Sequence, residues 1–163
     1  MDITRRADGI GIKRRLRRAP SSVFAAFANP ETLARWWGPP ECPIIDSSIE
    51  FRPGGIWHYH LRSVHSGAEA WSRAVFEEIV PDRRIVFIET SSDAAGTITP
   101  DRAPAHTTIE FVPEGAGTLL VIDVRHVSEA EALRALDRGV VLGFMRALDQ
   151  LEVLLTQEEE AVQ

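Results

Sequence analysis

The chain has 163 residues, 44% of them hydrophobic and 26% charged, which suits one domain with a sizeable core and excludes wholesale disorder. The net charge of −6 argues against a dedicated nucleic-acid binder. No run reaches the ~18 apolar residues of a membrane span, and Met1–Arg6 lacks the apolar stretch of a signal peptide. The lone cysteine, Cys42, allows no internal disulfide, so a reducing, cytoplasmic setting is expected.

The chain opens basic. Seven Lys/Arg against two Asp between Met1 and Arg18 give +5, leaving −11 for the remainder. Such an arm suits a nucleic acid or membrane surface, but Ile10, Ile12 and Leu16 recur at strand period, and the charges read better as protection of a sheet edge. The first strand is placed at Ile10 to Arg18. Arg14 shares the apolar face, while Lys13, Arg15 and Arg17 face away. An inward arginine needs a partner; Glu89 and Asp123 are the candidates.

Pro20-Ser21-Ser22 opens a short helix that Asn29-Pro30 stops. A second, Glu31 to Trp37, ends at Gly38-Pro39-Pro40. Strands follow at Ile44–Phe51, Ile56–His65, Ala70–Val80, Arg84–Thr90, His106–Val112 and Thr118–His126, divided by turn signals such as Pro53-Gly54-Gly55 and Glu114-Gly115-Ala116-Gly117. Short turns between consecutive strands imply an antiparallel meander. The widest gap, Ser91 to Ala105, is about 15 residues and sits at the upper limit for an unstructured loop.

Ser128-Glu129-Ala130-Glu131 reads as a capping box, in which serine and glutamate each satisfy a free amide. A helix of about 28 residues follows, with Leu133, Leu136, Val140, Phe144, Leu148, Leu151 and Leu155 as its apolar stripe. Gly139 and Gly143 lower its propensity and admit a close neighbour on their side. Glu158-Glu159-Glu160 sits at the unfavourable end of the helix dipole, so fraying is expected there. The pattern is α+β: a curved antiparallel sheet of about six to seven strands around one long C-terminal helix, with two short helices after the first strand.

Several stretches carry a likeness to a known family. They are Ala19-Pro20-Ser21-Ser22-Val23-Phe24, Asn29-Pro30-Glu31-Thr32-Leu33 with Trp36-Trp37-Gly38-Pro39, Phe51-Arg52-Pro53-Gly54-Gly55, and the hairpin Phe76 to Phe87 around Pro81-Asp82. Gly117-Thr118-Leu119, His126 and Gly143-Phe144 with Leu148-Asp149-Gln150-Leu151 complete the set. Together, over about Ile10 to Leu155, they resemble the START-like (SRPBCC, helix-grip) superfamily, and within it the activator of heat-shock protein 90 ATPase homologues. Phe144 departs from the tryptophan common there and lacks an indole donor. The resemblance implies a cavity between sheet and long helix. It also brings in lipid carriers, cyclases and a chaperone-regulating role, so it leaves function open.

On Ile56–His65, Trp57, Tyr59 and Leu61 share one face and His58, His60 and Arg62 the other. The expected partner is a small apolar or aromatic molecule, with Trp57, Tyr59, Trp71, Phe87, Phe144 and Leu148 as walls and Arg14, Glu89 and His126 as polar handles. Trp36 and Trp37 are further wall candidates; plain core filling is the competing reading. Asp123 and Arg125, and Arg73, fall on strand positions shared with apolar residues and suit either ligand contacts or internal ion pairs. His58 and His60 lack further ligands at telling spacing, so no metal is expected. No nucleophile motif or phosphate loop is present and no cofactor is expected, which leaves acid–base chemistry by His106, His126, Glu89 or Asp123 as the enzymatic alternative. The Trp36-Trp37-Gly38-Pro39-Pro40 run offers a surface for a homodimer. A chaperone partner follows from the resemblance alone; no motif points to one.

Overall fold

The computed structural model describes residues 1–162. Eight strands form one antiparallel sheet: β1 (Asp2–Arg6), β2 (Gly9–Leu16), β3 (Ile44–Ile49), β4 (Ile56–Arg62), β5 (Glu69–Val80), β6 (Arg84–Ser92), β7 (Ala105–Glu114) and β8 (Gly117–His126). The helices are α1 (Pro20–Ala28), α2 (Pro30–Trp36), α3 (Glu129–Asp137) and α4 (Val140–Val162). The spatial order is β1-β2-β8-β7-β6-β5-β4-β3. β3 to β8 make the expected meander, and β2 closes against β8. The α1–α2 pair carries the chain from β2 to the opposite edge.

One strand was not expected. β1 pairs with β2, Ile3 opposite Ile12, so the charged edge of the sheet is β1 and the predicted first strand lies one place inside it. Gly9 permits the β2–β8 pairing to continue to its end: a Cβ there would lie 1.8 Å from the Val124 carbonyl oxygen. Register shifts at Ile44/Asp46 and Phe76/Glu78 are the bulges that bend a sheet.

The concave face supplies the core. Ile12, Phe76, Ile85, Phe111 and Ile122 are buried there, and Leu148, Leu151 and Leu155 of α4 pack over them. α1 and α2 add Phe27 and Trp36. Asn29 caps α2, its Oδ1 accepting from the amides of Glu31 and Thr32 at 3.0 and 3.2 Å.

The long helix is two helices. α3 has 9 residues and α4 has 23. Gly139 between them has φ +84°, a left-handed conformation that ends a helix; Arg138 N–H and Gly139 N–H close the end onto Arg134 and Leu136 carbonyls. The break resets the phase of the apolar stripe. Leu133 is therefore 54% exposed, while Ala132 is the residue that α3 buries. The capping box is half formed: Ser128 Oγ accepts from Glu131 N–H at 3.1 Å, and the Glu131 carboxylate pairs with Arg134 instead. The structure continues α4 through Glu158-Glu159-Glu160.

Candidate functional site

A cavity of about 270 Å³ lies between the concave face and the α3–α4 junction. Trp37, Tyr59, Phe87 and Phe144 supply its aromatic wall, and Glu89, Arg102, His126, Glu131 and Arg138 its polar groups. Alternation places the strand residues: Ile85, Phe87 and Glu89 point the same way along β6, as do Ile122, Val124 and His126 along β8. Gly139 and Gly143 line the helix side. A Cβ on either would meet nothing within 4 Å, so these glycines widen the space where the sequence suggested a close neighbour.

The polar groups form one network. Trp37 Nε1–H donates to Tyr59 Oη at 3.3 Å, and Tyr59 O–H donates to Glu89 Oε2 at 2.6 Å. Arg102 donates from Nη1 to Glu89 Oε1 at 3.2 Å and from Nη2 to Ser72 Oγ at 2.6 Å. Tyr59, Ser72 and Ser91 sit opposite one another across β4, β5 and β6, so one row of the sheet organises the polar wall. Ser91 Oγ accepts from Arg102 N–H at 2.9 Å and reaches the Thr99 carbonyl at 3.0 Å. Asp93 Oδ1 accepts from the amides of Ala95 and Thr97, both at 2.9 Å. The segment expected as a wide loop is thus folded back on the end of β6, and it delivers Arg102. Arg138 Nη2 donates to the Asp101 carbonyl at 3.1 Å and ties that segment to the end of α3.

Burial pushes the Tyr59 phenol well above its ordinary value of 10.0, and the neighbouring Glu89 carboxylate adds to the rise. Tyr59 is the only tyrosine in the chain, so its titration is readable alone. We expect no tyrosinate absorbance from the folded protein as pH passes 10. A phenol whose value rises on folding lowers stability only above its unfolded value, so stability should begin to fall there. A native titration at or below pH 10 would contradict this placement. Burial also pulls the His126 imidazole below 6.5, which leaves the ring neutral near pH 7.

The sequence-derived site divides into three groups: residues that line the cavity, residues behind its wall, and two that lie away from it. Tyr59, Phe87, Glu89, Phe144 and His126 line the cavity. Trp57 and Leu148, 3% and 1% exposed, stand behind the wall; Trp57 packs edge-on to Phe87 at 5.8 Å.

Trp71 is on the other side of the sheet. It pairs directly with His60, which alternates with Tyr59, and it stacks between His60 and His58 with centroids 4.1 and 4.7 Å away. Arg14 does turn inward, its side chain 14% exposed, but its partners are Asp149 at 2.7 Å and Glu152, both on α4. It clamps α4 to β2 and is not a cavity handle. Neither Glu89 nor Asp123 is its partner. Asp123 lies on the convex face, paired with Arg6 and Arg125.

Trp36 is 1% exposed and Trp37 faces the cavity, so the aromatic surface proposed for self-association does not form. Burial raises the Cys42 thiol, which leaves it a poor nucleophile. Among the described residues no group of three or more His, Cys, Asp or Glu side chains is placed to hold a metal ion, and no helix is long and apolar enough to cross a membrane.

Arg102 is the residue that sequence reasoning missed. Pro100 and Pro104 bracket it, but nothing in the spacing shows that the segment returns to Glu89.

A family model described as Activator of Hsp90 ATPase homolog 1-like protein matches residues 17–156. Protein Ms6760 from Mycobacterium smegmatis has a similar crystal structure, with 21% identity over 95% of this chain and 96% of that one at a TM-score of 0.87. A protein from Arthrobacter aurescens, solved by NMR, is 23% identical over 96% and 92% at a TM-score of 0.89. Protein NE0264 from Nitrosomonas europaea is 21% identical over 96% and 99% at 0.84. At these identities the structures show a common fold. A search of curated proteins gave no significant match. With its cavity between curved sheet and C-terminal helix, and with most of its length matched, the chain belongs to the Activator of Hsp90 ATPase homolog 1-like family, of START-like fold.

Proposed function

We propose that this protein binds a small apolar or aromatic molecule between its sheet and the α3–α4 junction. The observation that carries the reading is the cavity itself: about 270 Å³, with an aromatic wall and one connected polar network. That volume is just below the ~300–1,000 Å³ usual for ligand pockets, which favours a compact ligand over a long lipid chain. The aromatic wall supplies apolar contact area, and the network supplies orientation.

The enzymatic alternative asks for a histidine and a carboxylate in hydrogen-bond reach inside the cavity. The His106–Glu77 contact at 3.2 Å joins exposed side chains, and His60–Glu69 at 3.4 Å lies beside Trp71 on the convex face. Neither supports acid–base chemistry in the cavity. A chaperone partner rests on the family description alone.

Thermal-shift measurement against small aromatic and aliphatic compounds tests the reading, with native mass spectrometry of freshly purified protein beside it. We expect stabilisation that rises with ligand concentration, by mass action, together with a bound mass. A flat response across the set would count against ligand binding.

A further inference from the structure

The hydrogen bonds of the cavity run in one direction. Trp37 donates to Tyr59 and Tyr59 donates to Glu89, so both donors are used. Arg102 spends Nη1 on Glu89 and Nη2 on Ser72. Glu89 is where the donations end. A carboxylate offers about four lone-pair sites, and the network occupies two. The Glu89 side chain keeps 16% exposure on the cavity wall. Glu89 therefore offers the cavity two free acceptor sites beside the end of this chain of donations.

The charged groups that line the wall are two acids and two arginines. Glu89 stands against Arg102, while Glu131 and Arg138 are not paired with each other. Arg138 is directed to the Asp101 carbonyl, and Glu131 holds Arg134. Burial keeps His126 neutral near pH 7. A carboxylate entering beside Glu89 would meet a like charge there, with the Arg102 charge already shared with Glu89. An entering hydroxyl would donate to Glu89 and keep its ring against Trp37, Phe87 and Phe144.

We infer that the cavity selects neutral aromatic molecules bearing a hydrogen-bond donor, of the phenol or aromatic-alcohol class, over the matching carboxylic acids. This rests on the ligand-binding reading above and names the ligand class for the same site.

Three probes that share one ring system test it: naphthalene, 2-naphthol and 2-naphthoate, titrated into the full chain at neutral pH with affinity read by calorimetry. The expected ranking has 2-naphthol tighter than both others by at least about tenfold, or 1.4 kcal/mol. Glu89→Gln leaves Arg102 without its counter-charge, so 2-naphthol should weaken and 2-naphthoate should gain. If that variant fails to fold, the wild-type ranking decides alone. Naphthoate binding as tightly as naphthol to the wild type overturns the inference and leaves the cavity reading standing, as does naphthol binding no tighter than naphthalene. Binding of none of the three overturns both.

Discussion

Trp36→Ala is expected to destabilise the protein by about 3–5 kcal/mol, the range for removing a large buried aromatic. Trp36 is 1% exposed. Its ring packs edge-to-face on Phe27 at 4.8 Å and on Trp37 at 5.5 Å, and its Nε1–H donates to the Ala26 carbonyl at 3.0 Å. The substitution opens a void between α1, α2 and the sheet and leaves that carbonyl without its donor. Because Trp37 is both a neighbour of Trp36 and part of the cavity wall, binding should weaken as well. Trp36→Phe keeps a ring but loses the donor, and about 1–3 kcal/mol is expected from the unpaired buried acceptor. Urea denaturation followed by fluorescence measures both. A cost below about 1 kcal/mol for Trp36→Ala would show that the helix pair is not anchored as described.

The second large effect is on binding and has the opposite sign for stability. Gly143 lies inside α4, where glycine costs about 0.8–1.0 kcal/mol relative to alanine. It faces open cavity, with nothing within 4 Å of an added Cβ. Gly143→Ala should therefore stabilise the fold by roughly that amount. Gly143→Leu should keep a folded, comparably stable protein, fill the space beside Phe144 and Val140, and reduce ligand affinity by at least about a hundredfold, or 2.7 kcal/mol. Stability that holds or rises while binding is lost separates blocking of the cavity from general damage. If Gly143→Leu binds as the wild type does, the ligand lies elsewhere.

The two substitutions also show how far local pattern reaches. Trp36 is legible as interior from the helix that ends at Gly38-Pro39-Pro40, although the same run invites a surface reading. Gly143 is legible as a weak point in a helix, but whether it faces a neighbour or a void depends on what lies across from it. Arg14 falls between these cases. Strand period turns it inward, as found, while its partners depend on how α4 is rotated over β2, which brings Asp149 and Glu152 to it. Trp71 is the opposite error. Its residue type suggested a pocket wall, yet β5 has two mixed faces, and its register against β4 puts Trp71 with His60 while the smaller Ser72 and Ala74 are the residues turned inward and buried.

What the amino-acid sequence determined by itself was the order of the elements from β2 to β8, with the two short helices between β2 and β3, and the face of most strand residues. Alternation of apolar side chains, proline and glycine turns and the serine cap act within a few residues, and these local terms agreed with one another. The cavity was expected from family likeness, and its aromatic members Tyr59, Phe87 and Phe144 from alternation and helical spacing. Tertiary structure alone decided three things: the β1 edge, the division of the last helix at Gly139, and the polar network that joins Glu89 to Arg102. Each depends on contacts between segments far apart or on a backbone conformation that spacing does not encode. The return of residues 93–104 onto Ser91 is the clearest case, because it brings a loop arginine to a strand carboxylate and so sets what the cavity can hold.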